Sequence, residues 1–161
     1  MRITVTLPQT EEPEKGGKFT SYLISFVSTS GSGGEGCTRR RYSDFQWLSK
    51  RLHTECPGAI IPIIPHTRTI LRGVKMKFDD EFIEERRRHL EEFIEGVVEH
   101  PELSKAPSMT PFMTLTMGED FETGKKKVEQ AQPTQGDVDK LTSTDDDLYL
   151  NSSGGSGDPS S

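Results

Sequence analysis

Across Arg39-Arg40-Arg41-Tyr42-Ser43-Asp44-Phe45-Gln46-Trp47-Leu48 the chain changes its period. Before Ser43 the residues alternate as in strands, and after it Phe45, Leu48 and Leu52 recur at helical spacing. Ser43 with Gln46 three residues on fits a capping box, which predicts a helix start at this point. The junction therefore carries three arginines into the positive end of a helix, where free backbone N–H groups and the helix dipole favour an anion. An arginine there can grip a phosphate bidentately, and the adjacent Tyr42 offers a flat face for a sugar or inositol ring. The plain alternative is a basic edge strand that resists aggregation.

Working back from the junction, Ile3, Val5 and Leu7 alternate with polar residues, and so do Tyr22, Ile24 and Phe26. Gly16-Gly17 and the Ser30–Gly34 stretch supply the turns, and a third strand runs through Cys37 to Arg41. These runs predict a three-stranded antiparallel meander. Working forward, Cys56-Pro57-Gly58 ends the first helix, and an irregular apolar stretch from Ala59 to Lys77 contains Pro62-Ile-Ile-Pro65. Asp79 or Asp80 caps the next helix, which runs to about His100 and stops at Pro101. At about 100° per residue, Phe82, Ile83, Leu90, Phe93, Ile94, Val97 and Val98 form one apolar face of it. Pro111–Leu115 suits a short closing helix. The fold class is α+β, a three-stranded antiparallel sheet packed against a helical layer.

Arg86 falls inside that apolar face, and its neighbours three and four residues away include no acid. An inward guanidinium of this kind awaits an anion, or else a carboxylate from elsewhere in the fold. Arg87 and Arg88 have Glu84 and Glu91 in reach and read as structural pairs.

Charge supports an anionic partner. The net charge is −6, but the excess lies after residue 117. Residues 1–117 hold 16 basic and 16 acidic side chains, and residues 36–78 hold nine Lys or Arg against Asp44 and Glu55. Residues 118–161 hold 4 basic and 10 acidic side chains, with no periodicity, and are expected to be a disordered acidic tail behind a domain at 1–117. Cys37 and Cys56 have no paired spacing, which suits a reduced, cytoplasmic setting. The four histidines lack metal-ligand spacing. No apolar run reaches the ~20 residues of a membrane span, so a membrane role is peripheral. No nucleophile–histidine pair or phosphate loop suggests an enzyme, and nothing calls for a cofactor. A nucleic-acid binder using the basic patch is disfavoured by the lack of exposed aromatic platforms.

Arg40-Arg41-Tyr42-Ser43-Asp44-Phe45 with Trp47-Leu48 resembles the signature of PX (phox-homology) domains. Phe78-Asp-Asp-Glu-Phe-Ile-Glu-Glu-Arg86, leading to Leu90-Glu-Glu-Phe-Ile94 and His100-Pro101, is similar to the matching helix of the small PX-only sorting nexins. The resemblance covers residues 2 to 117. It implies a module that binds phosphatidylinositol 3-phosphate in membranes and acts in endosomal sorting, peripheral on the early endosome. It assigns the 3-phosphate to Arg41, the inositol ring to Tyr42 and the inositol hydroxyls to Arg86. The 1-phosphate role falls on Arg68, one position later than the family's lysine, with Arg72 as the alternative; Arg40 and Arg72 add supporting charge. Ile70, Leu71, Val74 and Met76, interleaved with basic residues, suit a segment that wedges into the membrane interface. Ile70 and Leu71 capping the core is the other reading, and Pro62–Pro65 also matches the weak PxxP pattern. A retromer-type coat and its cargo are implied partners. The chain starts its first strand at Arg2, without the preceding segment usual in such adaptors, and no BAR-like region follows, so tubulation is not expected. A PX domain that binds protein and has weak or lost lipid binding is the alternative function.

Overall fold

A computed structural model describes residues 1–28, 34–64 and 79–131. Strands β1 (Arg2–Glu11), β2 (Phe19–Val27) and β3 (Glu35–Arg41) form one antiparallel sheet in the order β1-β2-β3. Helices α1 (Tyr42–Glu55) and α2 (Asp80–Glu99) cover it, followed by a 3-10 turn (Leu103–Lys105), α3 (Met109–Thr114) and α4 (Glu119–Ala131). The α+β class read from the alternation is the one observed.

The sheet buries Ile3, Val5, Tyr22 and Ile24 against Phe45, Leu48 and Leu52 of α1 and Ile83, Leu90, Phe93, Ile94 and Val97 of α2. Phe45 is the hinge pin of this core, edge-on to Phe93 at 6.4 Å and to Phe112 of α3 at 5.2 Å. Leu7 departs from the expected alternation. Thr6 pairs with Leu23 and Gln9 with Ser21, so Leu7 and Pro8 oppose Tyr22 alone. That bulge holds Leu7 at φ 43 and turns its side chain outward, 65% exposed. β1 tolerates Pro8 because it is an edge strand. Its outer edge is partly answered by α2: the Val5 N–H donates to Glu91 at 3.1 Å, and Arg87 donates to the Val5 carbonyl.

The start of α1 also differs from expectation. The helix begins at Tyr42, two residues earlier than a Ser43 cap allows, so its third position is Asp44. The Arg41 N–H donates to Asp44 Oδ2 at 2.8 Å, which is the half of a capping box that Ser43 and Gln46 were expected to make. Cys56 closes α1 through its N–H to the Leu52 carbonyl, and Gly58 turns at φ 93.

The acidic stretch after residue 117 is not structureless throughout. Gly118, at φ 115, turns the chain into α4. Phe121 is 1% exposed there, edge-on to Phe112 at 6.2 Å and Trp47 at 5.6 Å. The helix escaped the periodic reading because Phe121 and Val128 are nearly its only apolar residues. The packed unit thus extends to Ala131, and residues 132–161 lie outside the described residues. Among the described residues, no helix is long and apolar enough to cross a membrane, and no group of three His, Cys, Asp or Glu is placed to hold a metal.

Candidate functional site

Alternation along β3 divides its three arginines. Arg40 points inward and is fully buried. Its Nη2 donates to the carbonyls of Pro111 (3.0 Å) and Leu115 (2.6 Å), and its guanidinium lies 3.9 Å from the Phe121 ring centre. Burial pushes its pKa down to about 10, an effect that nearby Asp44 partly opposes. Arg40 therefore ties the end of α3 to the sheet and gives no supporting charge to a surface ligand, contrary to the sequence expectation. Arg39 is half-buried, and its Nη2 holds the carbonyl of bulged Leu7 at 2.7 Å.

Arg41 is the exposed member, at the last position of β3 and directly before α1. Its guanidinium stacks 3.5 Å from the centre of the Phe19 ring. Tyr42, the next residue, lies against Arg86 of α2, whose guanidinium is 4.4 Å from the Tyr42 ring and 4.5 Å from that of Phe82. The fold thus brings Arg86 of a second helix against Tyr42 at the helix start, directly after Arg41, whose guanidinium stacks on Phe19. Tyr22 lies beneath them. Burial raises its phenol above the ordinary range, and Arg86 partly offsets the rise. Arg86 is held between two rings on the inward side of α2, as its wheel position implied. Arg87 pairs with Glu84 and Glu91, both at 2.8 Å, and is structural. Arg88 is exposed beside Glu84 and Glu85.

Beyond Tyr42 a groove of ≈ 360 Å³ runs between the outer face of α1 and the extended segment 61–64. Gln46, Lys50 and His53 line one wall, and Pro62 and Ile63 the other. Pro62 reaches its place because α2 has glycine at 96: a Cβ there would stand 2.8 Å from Pro62 Cγ. Arg68, Arg72, Ile70, Leu71, Val74 and Met76 lie outside the described residues.

Phe19, Phe82 and Lys50 join the site without having been assigned to it from the sequence. Phe82 was detectable, since it precedes Arg86 by one helical turn. Phe19 was not, because its approach to Arg41 depends on the pairing of β2 with β3.

Comparison with known proteins gives a consistent result. The family model of the PX domain matches residues 28–116, more than half of the chain. Over 103 residues the chain is 36% identical to sorting nexin mvp1 of Neurospora crassa, a match covering 64% of this chain and 13% of that protein. It is 40% identical over 83 residues to human sorting nexin-7, covering 52% of this chain and 18% of the relative. Among solved structures, a designed CISK-PX domain superposes with a TM-score of 0.59 at 28% identity, covering 71% of this chain and 99% of that one. The SNX-BAR Mvp1 tetramer has the same fold, with a TM-score of 0.64 at 22% identity, over 91% of this chain and 42% of that one. The chain spans under a quarter of the length of such curated relatives.

Proposed function

Since this chain belongs to the PX domain family, we propose that it reads phosphatidylinositol 3-phosphate and docks the protein that carries it on endosomal membrane. The observation that carries this reading is ring-stacked Arg86 against Tyr42 at the helix start, directly after exposed Arg41. Arg41 has an accessible guanidinium on a rigid junction, suited to a bidentate 3-phosphate contact. Tyr42 supplies a flat face to an inositol ring, and Arg86 supplies fixed donors for its hydroxyls. The groove along α1 leads away from Tyr42 past Lys50, which suits an anionic ligand.

Arg68, or Arg72 in its place, takes the 1-phosphate, and Ile70, Leu71, Val74 and Met76 enter the lipid interface. The module binds and does not catalyse. Relatives named sorting nexins support a role in endosomal protein sorting, with a retromer-type coat and cargo as partners of the larger assembly.

The test is sedimentation with vesicles of phosphatidylcholine and phosphatidylserine carrying each phosphoinositide in turn. Vesicles with phosphatidylinositol 3-phosphate should retain the protein best. Arg41→Ala should weaken that binding more than about tenfold, the value of losing a charge-assisted contact. Retained binding by Arg41→Ala, or equal binding to vesicles without any phosphoinositide, overturns the reading.

A further inference from the structure

Asp44 touches both the headgroup site and α4. One carboxylate oxygen, Oδ2, accepts the Arg41 backbone N–H at 2.8 Å. The other, Oδ1, accepts from Lys125 Nζ at 2.7 Å, in a pair whose two side chains are 13% and 6% exposed. Lys125 also reaches Glu122 at 2.9 Å and lies 4.5 Å from the ring of Phe121. Its position is set by α4 as a whole. Phe121 inserts between Phe112 and Trp47, Trp47 Nε1 donates to Glu129 at 2.9 Å, and Arg51 donates to the Val128 carbonyl at 3.3 Å.

We propose that Lys125 is a positioning residue for the anion site: through Asp44 it fixes the backbone of Arg41 and cancels the carboxylate nearest the phosphate. This rests on the assignment of Arg41 to the 3-phosphate. Asp44 is the first acid after the three arginines, and its unneutralised charge would oppose an arriving phosphate. A nearly buried carboxylate that loses its hydrogen-bonded cation is also costly where it stands, even with the Arg40 charge nearby, and it relaxes toward water. Doing so releases the Arg41 N–H at the turn from strand to helix. Lys125 thus acts on both the electrostatics and the geometry of the site from a helix that contributes no contact to the ligand.

The experiment uses the full chain and five variants: Lys125→Met, Lys125→Arg, Asp44→Asn with and without Lys125→Met, and Glu122→Gln. Amide hydrogen exchange is followed at Arg41, and affinity is measured on phosphatidylcholine vesicles carrying phosphatidylinositol 3-phosphate. Lys125→Met should speed exchange at Arg41 and weaken vesicle binding about three- to tenfold, a usual size for coupling through a relay. Lys125→Arg should restore both, and Glu122→Gln should change neither. In the Asp44→Asn background, where no charge needs cancelling, adding Lys125→Met should have little further effect. Unchanged Arg41 exchange or unchanged affinity in Lys125→Met overturns the proposal. So does an equal loss in both Asp44 backgrounds, which would make Lys125 a general fold contact. Arg41→Ala runs in parallel: if it keeps full affinity, the headgroup assignment itself has failed, whereas its loss beside an unaffected Lys125→Met sinks the positioning role alone.

Discussion

Strand alternation gives Arg40 a role opposite to that of its neighbours. It is fully buried, yet it answers the carbonyls at the end of α3 and stacks on Phe121. Two effects compete when it is replaced. Removing a desolvated charge is favourable, but stranding buried carbonyls costs about 1–3 kcal/mol each. The carbonyls, the ring contact and the vacated volume together outweigh the desolvation. Arg40→Met should therefore destabilise the protein by about 2 kcal/mol, measured by thermal unfolding. The penalty on its charge, with the pKa held at about 10 and so below the ordinary arginine range, is relieved only as pH rises above about 10. Below that pH Arg40 is protonated in both folded and unfolded chains, so the loss should be constant between about pH 6 and pH 9. A loss that varies across that range contradicts the assignment. Arg86 behaves differently. Leucine at 86 keeps apolar contact with the rings of Tyr42 and Phe82 but offers no donors. Arg86→Leu should hold its melting temperature while losing phosphatidylinositol 3-phosphate vesicles, and Arg88→Leu should keep both.

At the scale of elements, α2 and the segment 61–64 approach closely where Gly96 faces Pro62. Alanine in a helix interior gains about 1 kcal/mol over glycine. Here its Cβ would stand 2.8 Å from a ring carbon that cannot rotate away, so the whole segment must shift. The segment walls the groove beside Tyr42. Gly96→Ala should therefore show no gain in melting temperature and a severalfold loss of vesicle binding. A rise in stability with unchanged binding would mean that Pro62 gives way freely. The elements legible in the sequence were those with a strong period, namely the three strands and the apolar face of α2. Ile3, Val5, Tyr22 and Ile24 announced the sheet, and Arg86 stood out because it broke the pattern of its helix. What escaped was set by contacts between distant segments. The bulge at Leu7 is held by Arg39, α1 is capped by Asp44 instead of Ser43, and α4 is held by one phenylalanine and a few polar bonds. No local period encodes these.

For the whole molecule, the decisive question is where the folded unit ends. A boundary at residue 117 follows from composition, because everything after it is polar and acidic. Packing carries the folded unit at least as far as Ala131, the last of the described residues. Ending the chain at 117 removes Phe121 from its seat against Phe112, Trp47 and Arg40, and burying a phenylalanine side chain is worth about 1.5–3 kcal/mol. It also removes the Lys125–Asp44 pair and the bonds from Trp47 to Glu129 and from Arg51 to Val128. Buried Arg40 would then face solvent on the side that Phe121 now covers. The combined loss, about 3–5 kcal/mol, is a large part of the 5–15 kcal/mol typical of a domain. In urea unfolding, chain 1–117 should separate cleanly from chains 1–131 and 1–161. The second and third should share a midpoint, and the first should unfold at a markedly lower concentration, with its Trp47 fluorescence already shifted in native buffer. Coincident midpoints for 1–117 and 1–131 would show that α4 rests on the domain without stabilising it, and the boundary would return to residue 117.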